Sequence, residues 1–333
     1  TTLSSRFSSR FGLTCPMALA PMALASGGAL AAACARAGTL GLVGGGYGEL
    51  AWTQREYTLA LQASNTGRIG CGFITWKLDE EASALDWVLD HPVAERPRAV
   101  MLSFGDPRPY AARIAAAGAA LICQVQRLDQ VPQALEAGAQ VVVAQGGEAG
   151  GHGMNSLNGR ATLSFVPELA DWLAVHAPET LLLAAGGIAD GRTLAAALVL
   201  GADGALVGSR LWATQESLAA QGAKELAVRT RGDGTARSPV FDILRRKNWP
   251  EPYDFRAIRN RLHRQWEERI DALRAAPEAA RADYDAGVQA GDFSRAHATV
   301  GEAVGLIHDI APAAEVIARM SAEAARILKE KGL

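Results

Sequence analysis

Four cysteines in 333 residues, none in C-x-x-C spacing, leave no basis for a disulfide framework or a zinc site. Cys15, Cys34, Cys71 and Cys123 read instead as reduced packing residues. Charge of one sign is also lacking. Thirty-three basic residues nearly balance thirty-five acidic ones, for a net charge of −2. No basic stripe marks a nucleic-acid partner, and the short cluster "RRK" (245–247) reads as a solvated helix end. Residues 11–35 carry no charge, yet Pro16, Pro21, Gly27 and Gly28 divide them into pieces too short for a bilayer crossing. A buried strand, a loop and a buried helix are expected there, in a cytoplasmic protein. HExxH, a Walker loop, a Ser/His/Asp set and a carboxylate cluster are absent too. The expectation is an enzyme without a resident metal, its chemistry carried by a bound organic cofactor.

What is present is a rhythm. Eight short apolar runs recur at residues 17–20, 39–43, 68–74, 98–103, 120–125, 139–144, 180–185 and 204–208. Most are apolar on both faces, as parallel strands covered by helices should be. Between them lie helix-like segments such as "GGALAAACARAG" (27–38) and "GRTLAAALVLG" (191–201), several stopped by glycine. Eight βα units in about 210 residues predict an α/β fold, a closed (β/α)₈ TIM barrel, over an open doubly wound sheet. After Arg210 the rhythm ends. Residues 214–300 show no convincing strand; "RNRLHRQWEERIDALRAA" (259–276) reads as amphipathic helix and "WPEPYD" (249–254) as a rigid elbow. The expected division is a barrel of 1–213 and 305–333, with 214–304 inserted after strand eight as a helical lid and substrate domain. The run 313–332 returns as the outer helix that closes the barrel.

In such barrels the reactive face lies at the C-terminal strand ends, with phosphate often bound after strands seven and eight. Past strand seven stands "AAGGIADGR" (184–192), where Gly186 and Gly187 let amides converge on an anion and Asp190 caps the next helix. Past strand eight, Gly208 and Ser209 offer a second amide pair and a hydroxyl. Each loop alone is a tight turn; two at these two strands favour phosphate. "GGGYG" (44–48) lacks G-x-G-x-x-G spacing and is not read as a dinucleotide fold. "AQGGEAGGHG" (144–153) leaves strand six. Gln145 can donate and accept at the edge of a heteroaromatic ring, and Gly150 and Gly151 permit close approach to a planar ligand. His152 stands over the strand ends as a base or hydrogen-bond donor. His91, His176, His263 and His297 read as solvated loop residues.

With these motifs placed, the chain resembles the nitronate monooxygenase family, FMN-dependent (β/α)₈ barrels with an added helical domain. "APMALAS", "AQGGEAGGHG", "AAGGIADGR", "GADGALVGSR" and "GEAVGLIHDI" carry the resemblance through almost the whole chain. It implies that Pro21, Met22 and Ala23 hold the flavin from the first loop. Gln124 and Gln145 approach the isoalloxazine edge, and Gly150 and Gly151 pass beside the ring. Ala185, Gly186, Gly187, Gly208 and Ser209 grip the phosphate, and His152 matches the catalytic histidine. Two positions depart: Gly72 stands where many members have asparagine, and Gln124 where some carry lysine.

The activity implied is oxidation of alkyl nitronates, such as propionate 3-nitronate, with O₂ to a carbonyl compound and nitrite. The partners are then a small nitronate and O₂, with no nucleic acid and no membrane, in a monomer or homodimer. The alternative is FMN-dependent, NAD(P)H-driven reduction of quinones or enoyl thioesters, since reductases with similar motifs need no separate dinucleotide fingerprint. A non-catalytic flavin-binding protein is the third reading. A flavin-free sugar-phosphate barrel would want a lysine or carboxylates at the strand ends, where only Glu148 and Lys77 stand.

Overall fold

A computed structural model describes residues 3–332. Its strands, in chain order, are β1 (Met17–Leu19), β2 (Gly41–Gly46), β3 (Ile69–Ile74), β4 (Ala99–Ser103), β5 (Ala120–Val125), β6 (Val141–Gln145), β7 (Gly151–Met154), β8 (Leu181–Ala185), β9 (Gly204–Val207), β10 (Thr235–Ser238) and β11 (Tyr253–Ile258). Eight of them form one parallel sheet in the order β1-β9-β8-β6-β5-β4-β3-β2. The parallel bridge Ala18–Leu40 joins its two ends and completes the barrel. All eight expected runs lie in it, and helices such as Gly28–Arg36, Arg108–Ala116 and Gly191–Val199 alternate with them.

Alternation along each strand sorts the core into two layers. Leu42, Met101, Ile122, Val141, Val143, Leu183 and Leu206 pack inside the barrel, while Val43, Cys71, Leu102, Cys123 and Val142 face the helices. The helix Arg6–Phe11, capped by Ser5, adds Phe7 and Phe11 to the inner cluster. This parity has a functional consequence. Gln124 follows Ile122 on the inward face of β5, and Gln145 follows Val143 on β6, so both polar side chains arrive at the C-terminal rim. The helix Ala313–Glu330 lies against Gly191–Val199; Glu323 accepts from the Gly191 amide at 2.8 Å, and a methyl group at Gly191 would meet the Glu323 Cβ at 2.3 Å.

The expectation of no strand within 214–300 is corrected. β10 and β11 lie there and form an antiparallel sheet with β7 in the order β10-β11-β7. "TARS" carries a single apolar residue, and in "YDFRAI" the alternation of Tyr253, Phe255 and Ala257 with Asp254 and Arg256 is short and overlaps the elbow expected over 249–254. The expected helix over 259–276 is two, Arg261–Trp266 and Ile270–Ala275, parted by a turn in which the Arg269 amide bonds the Trp266 carbonyl.

Candidate active site

The glycine-rich stretch after β6 turns into β7, and its shape is imposed from the inserted segment. Arg237 on β10 is half-buried and donates to four carbonyls: Gly151 at 3.0 Å, Asp254 at 2.7 Å, Gly147 at 3.3 Å and Ala149 at 2.7 Å. Arg256 on β11 adds a bond to Gly147 at 3.1 Å. Burial and the nearby Arg256 push the Arg237 guanidinium down to about 9, still a cation at neutral pH. A loop almost without side chains cannot hold itself by packing; two arginines fix it through its backbone.

His152 pairs with Phe255 across β7 and β11. Its Nε2 lies 2.9 and 3.0 Å from the two carboxylate oxygens of Asp242, on the helix Val240–Leu244. Trp249 covers one ring face, with centroids 3.4 Å apart and planes 12° from parallel. Phe255 lies tilted at 4.7 Å and Phe104 stands edge-on at 6.4 Å. Tyr47 accepts from Trp249 Nε1 at 2.9 Å, and Tyr253 and Trp76 extend the aromatic wall. Desolvation lowers the imidazole from 6.5 to about 4 despite the opposing pull of Asp242, so the ring is neutral at neutral pH. Phe104 holds its place with a positive φ of 67°, an uncommon conformation for a bulky residue and the kind of strain that gathers at working sites.

Gln145 links this site to the barrel: its Nε2 donates to the His152 carbonyl and its Oε1 accepts from Gln126, both at 2.9 Å. Its amide thus ties β7 to Gln126 beyond the end of β5. The Gln124 side chain has no hydrogen-bond partner among the described residues and lines a cavity of about 220 Å³ with Phe104, Gln126, Gln133 and Tyr253. A methyl group at Gly150 would meet the Val300–Gly301 backbone at 2.5 Å, so this glycine serves chain packing, whereas at Gly151 it would touch only Thr299, at 3.7 Å.

The loops after β8 and β9 bring several free main-chain amides together. Gly186 and Gly187 have φ of 95° and 81°, which glycine adopts without penalty. The amides of Gly187, Gly208 and Ser209 have no acceptor among the described residues. A methyl group at Gly187 or Gly208 would meet nothing closer than 3.9 and 3.7 Å, so both look onto open space. The Ser209 hydroxyl accepts from Gly301 at 2.8 Å, and Asp190 caps the following helix through the Thr193 amide at 3.0 Å. Met22 reaches Gly208 from the first loop, with its sulfur 3.9 Å from where a Cβ would stand. Ala23 abuts Gly46. Pro21 fills the space over Gly72, where an added Cβ would lie 2.3 Å from the proline ring, so an asparagine there could not coexist with this loop. Ala185 ends β8 on the inner face. Glu148 is committed elsewhere: it accepts from the amide and hydroxyl of Thr162 and caps the helix Thr162–His176.

Asp242, Trp249 and Arg237 were missed by reasoning from sequence. Asp242 had a signal, a lone carboxylate inside the apolar helix "VFDIL"; Trp249 and Arg237 had none beyond their loop and strand.

The chain also matches known proteins over most of its length. A nitronate monooxygenase family profile covers residues 78–323, and a nitronate monooxygenase of Neurospora crassa is 32% identical over 93% of this chain and 89% of its own. The chain belongs to the nitronate monooxygenase family. Nitronate monooxygenase npaC of Metarhizium robertsii is 33% identical over 93% of this chain and 90% of its own. Among solved structures, FabK from Thermotoga maritima superposes with a TM-score of 0.82 at 26% identity, over 99% of both chains. Nitroalkane oxidase from Streptomyces ansochromogenes follows at 0.78 and 25%, covering 97% of this chain and all of that one. As a member of the nitronate monooxygenase family the chain is an oxidoreductase on a TIM barrel. Among the described residues no helix is long and apolar enough to cross a membrane.

Proposed function

We propose that this protein oxidises alkyl nitronates with O₂, releasing a carbonyl compound and nitrite, with FMN as its cofactor. The observation that carries the reading is the pairing of a neutral, half-enclosed imidazole at the barrel rim with an anion cradle two strands away. The cradle fits a phosphate-bearing flavin: open glycine positions, unpaired amides at Gly187, Gly208 and Ser209, and no carboxylate among its donors. Gly186 and Ala185 would complete that grip, and Pro21, Met22 and Ala23 would border the ring from the first loop. Gln124, with both ends of its amide free, would meet the ring edge, and Gly151 would pass beside it. FMN, when bound, accepts electrons from the nitronate and passes them to O₂.

The protein's own residues supply position and dryness. Trp249, Phe104, Tyr253 and Phe255 exclude water on the His152 side, which strengthens every electrostatic contact made there. His152 meets the substrate at the edge of its ring, as acceptor or donor according to its protonation. Residues 214–304 act as the lid and substrate domain, the strands β10 and β11 being its attachment to the glycine loop. The buried, unpaired state of Cys15, Cys34, Cys71 and Cys123 supports a reducing, cytoplasmic setting, as monomer or homodimer. The test is direct. The purified protein should be yellow, release FMN on denaturation, and consume O₂ with propionate 3-nitronate while producing nitrite. Colourless protein that FMN cannot reconstitute defeats the reading.

A further inference from the structure

Three features of the His152 surroundings bear on which of its nitrogens can react. Asp242 meets Nε2 with both oxygens, at 2.9 and 3.0 Å, and its own side chain is only 6% exposed. It cannot swing aside, because Val240, Phe241 and Leu244 bury the short helix that carries it. Trp249 covers one face of the imidazole and Phe255 crowds the ring at a tilt. No group among the described residues bonds Nδ1, and 9% of the His152 side chain stays exposed. A carboxylate can only accept, so a neutral imidazole facing it carries its hydrogen on Nε2. The lone pair is then on Nδ1.

We propose that Asp242 is a positioning residue that fixes His152 in the Nε2–H form, leaving Nδ1 as a base able to take a proton from a neutral nitroalkane. The inference rests on the nitronate-oxidation reading and extends it to the conjugate acid of the substrate. In the step, Nδ1 takes the proton from the carbon bearing the nitro group. The C–H electron pair becomes the C=N bond of the nitronate, and the negative charge moves onto the nitro oxygens. The imidazolium so formed keeps its Nε2–H bond to Asp242, whose charge stabilises it, and later returns its proton to solvent. This parallels the way a buried aspartate serves the histidine of a serine-protease triad. Arg245 approaches the same carboxylate from its own helix end, with Nη1 3.6 Å from Oδ1.

The test has two arms, both on the flavin-loaded full-length chain. In the first, ¹⁵N-labelled histidine is read by long-range ¹H–¹⁵N NMR, with His152→Ala assigning the signals. The wild type should show the Nε2–H pattern at pH 7.5, and Asp242→Asn should lose or mix it. A wild-type Nδ1–H pattern, or an unaltered pattern in Asp242→Asn, overturns the proposal. The second arm compares kcat/KM for nitroethane and for preformed ethyl nitronate. Asp242→Asn should lower the nitroethane-to-nitronate ratio by about 100-fold. Equal losses on both substrates reduce Asp242 to a structural role and overturn the proposal. Asp242→Glu, which keeps the carboxylate, should restore part of the ratio and stands in should the asparagine variant fail to fold. If the wild type oxidises neither compound, the nitronate reading fails, while the ring pattern still decides the role of Asp242.

Discussion

The barrel sheet and the small sheet β10-β11-β7 are built on opposite principles. The barrel holds itself by apolar side chains: Leu42, Met101, Val143 and Leu183 are buried almost completely, and alternation along each strand decides which layer they join. The small sheet has little such filling where it meets the glycine loop. Two half-buried arginines bond backbone carbonyls there, and the loop meets them with main chain only. The barrel presents the rim, but the arrangement around the imidazole comes from the small sheet and its neighbours: Asp242, Trp249 and Phe255. Packing therefore supplies stability in one region, and polar constraint supplies geometry in the other.

Variants can break or sharpen that contrast. The largest effect belongs to His152→Ala, which should lose about 10³-fold or more in turnover with propionate 3-nitronate while the protein stays yellow. Loss of colour as well would mean that the imidazole serves binding rather than chemistry. Next is acid sensitivity. The His152 pKa is depressed to about 4 in the folded state, chiefly by burial, against about 6.5 unfolded. Its contribution to stability is thus present above pH 6.5 and is lost as pH falls towards 4. For a group this buried the difference corresponds to about 3 kcal/mol. Asp242 opposes the depression, and Arg245 and Arg237 reinforce it. Urea unfolding at a series of pH values should show a shallower acid decline in His152→Gln than in the wild type; identical declines would contradict this assignment.

Arg237→Met removes the clamp on the glycine loop and should lower turnover by about tenfold to a hundredfold, since small displacements of a reacting group carry penalties of that order. Faster proteolysis around 146–154 should accompany it. Leu183→Ala should do the reverse. A cavity in the barrel core costs about 2–5 kcal/mol of stability, yet kcat should change less than about threefold. A variant pattern in which the barrel cavity damaged turnover more than the lost arginine would dissolve the distinction between the two regions.

How much of this was legible follows from the same contrast. The barrel could be read because apolar runs and glycine stops recur with a period that physics imposes on any βα unit. The two glycine-marked turns were legible because Gly186, Gly187, Gly208 and Ser209 fall directly behind two apolar strand runs. His152 stood out against a background of glycine. β10 offers a single apolar residue, and the short alternation of β11 runs straight out of the proline-rich elbow before it, so neither announced itself as a strand. Asp242 lies ninety residues from His152, and nothing in local spacing joins them. Gln145 was legible as a rim residue by parity, but not its bond to the His152 carbonyl, which depends on where β7 turns. The role of Gly150 against Val300 and Gly301 was hidden for the same reason, a contact across 150 residues of chain.

The most direct test of the central claim, a flavin-loaded barrel whose rim imidazole serves nitronate oxidation, is anaerobic stopped-flow reduction of the purified protein. Propionate 3-nitronate should bleach the flavin absorbance at a rate that accounts for aerobic turnover, with NADH far slower. Bleaching by NADH at the turnover rate, with the nitronate inert, would contradict the account and assign the site to a reductase.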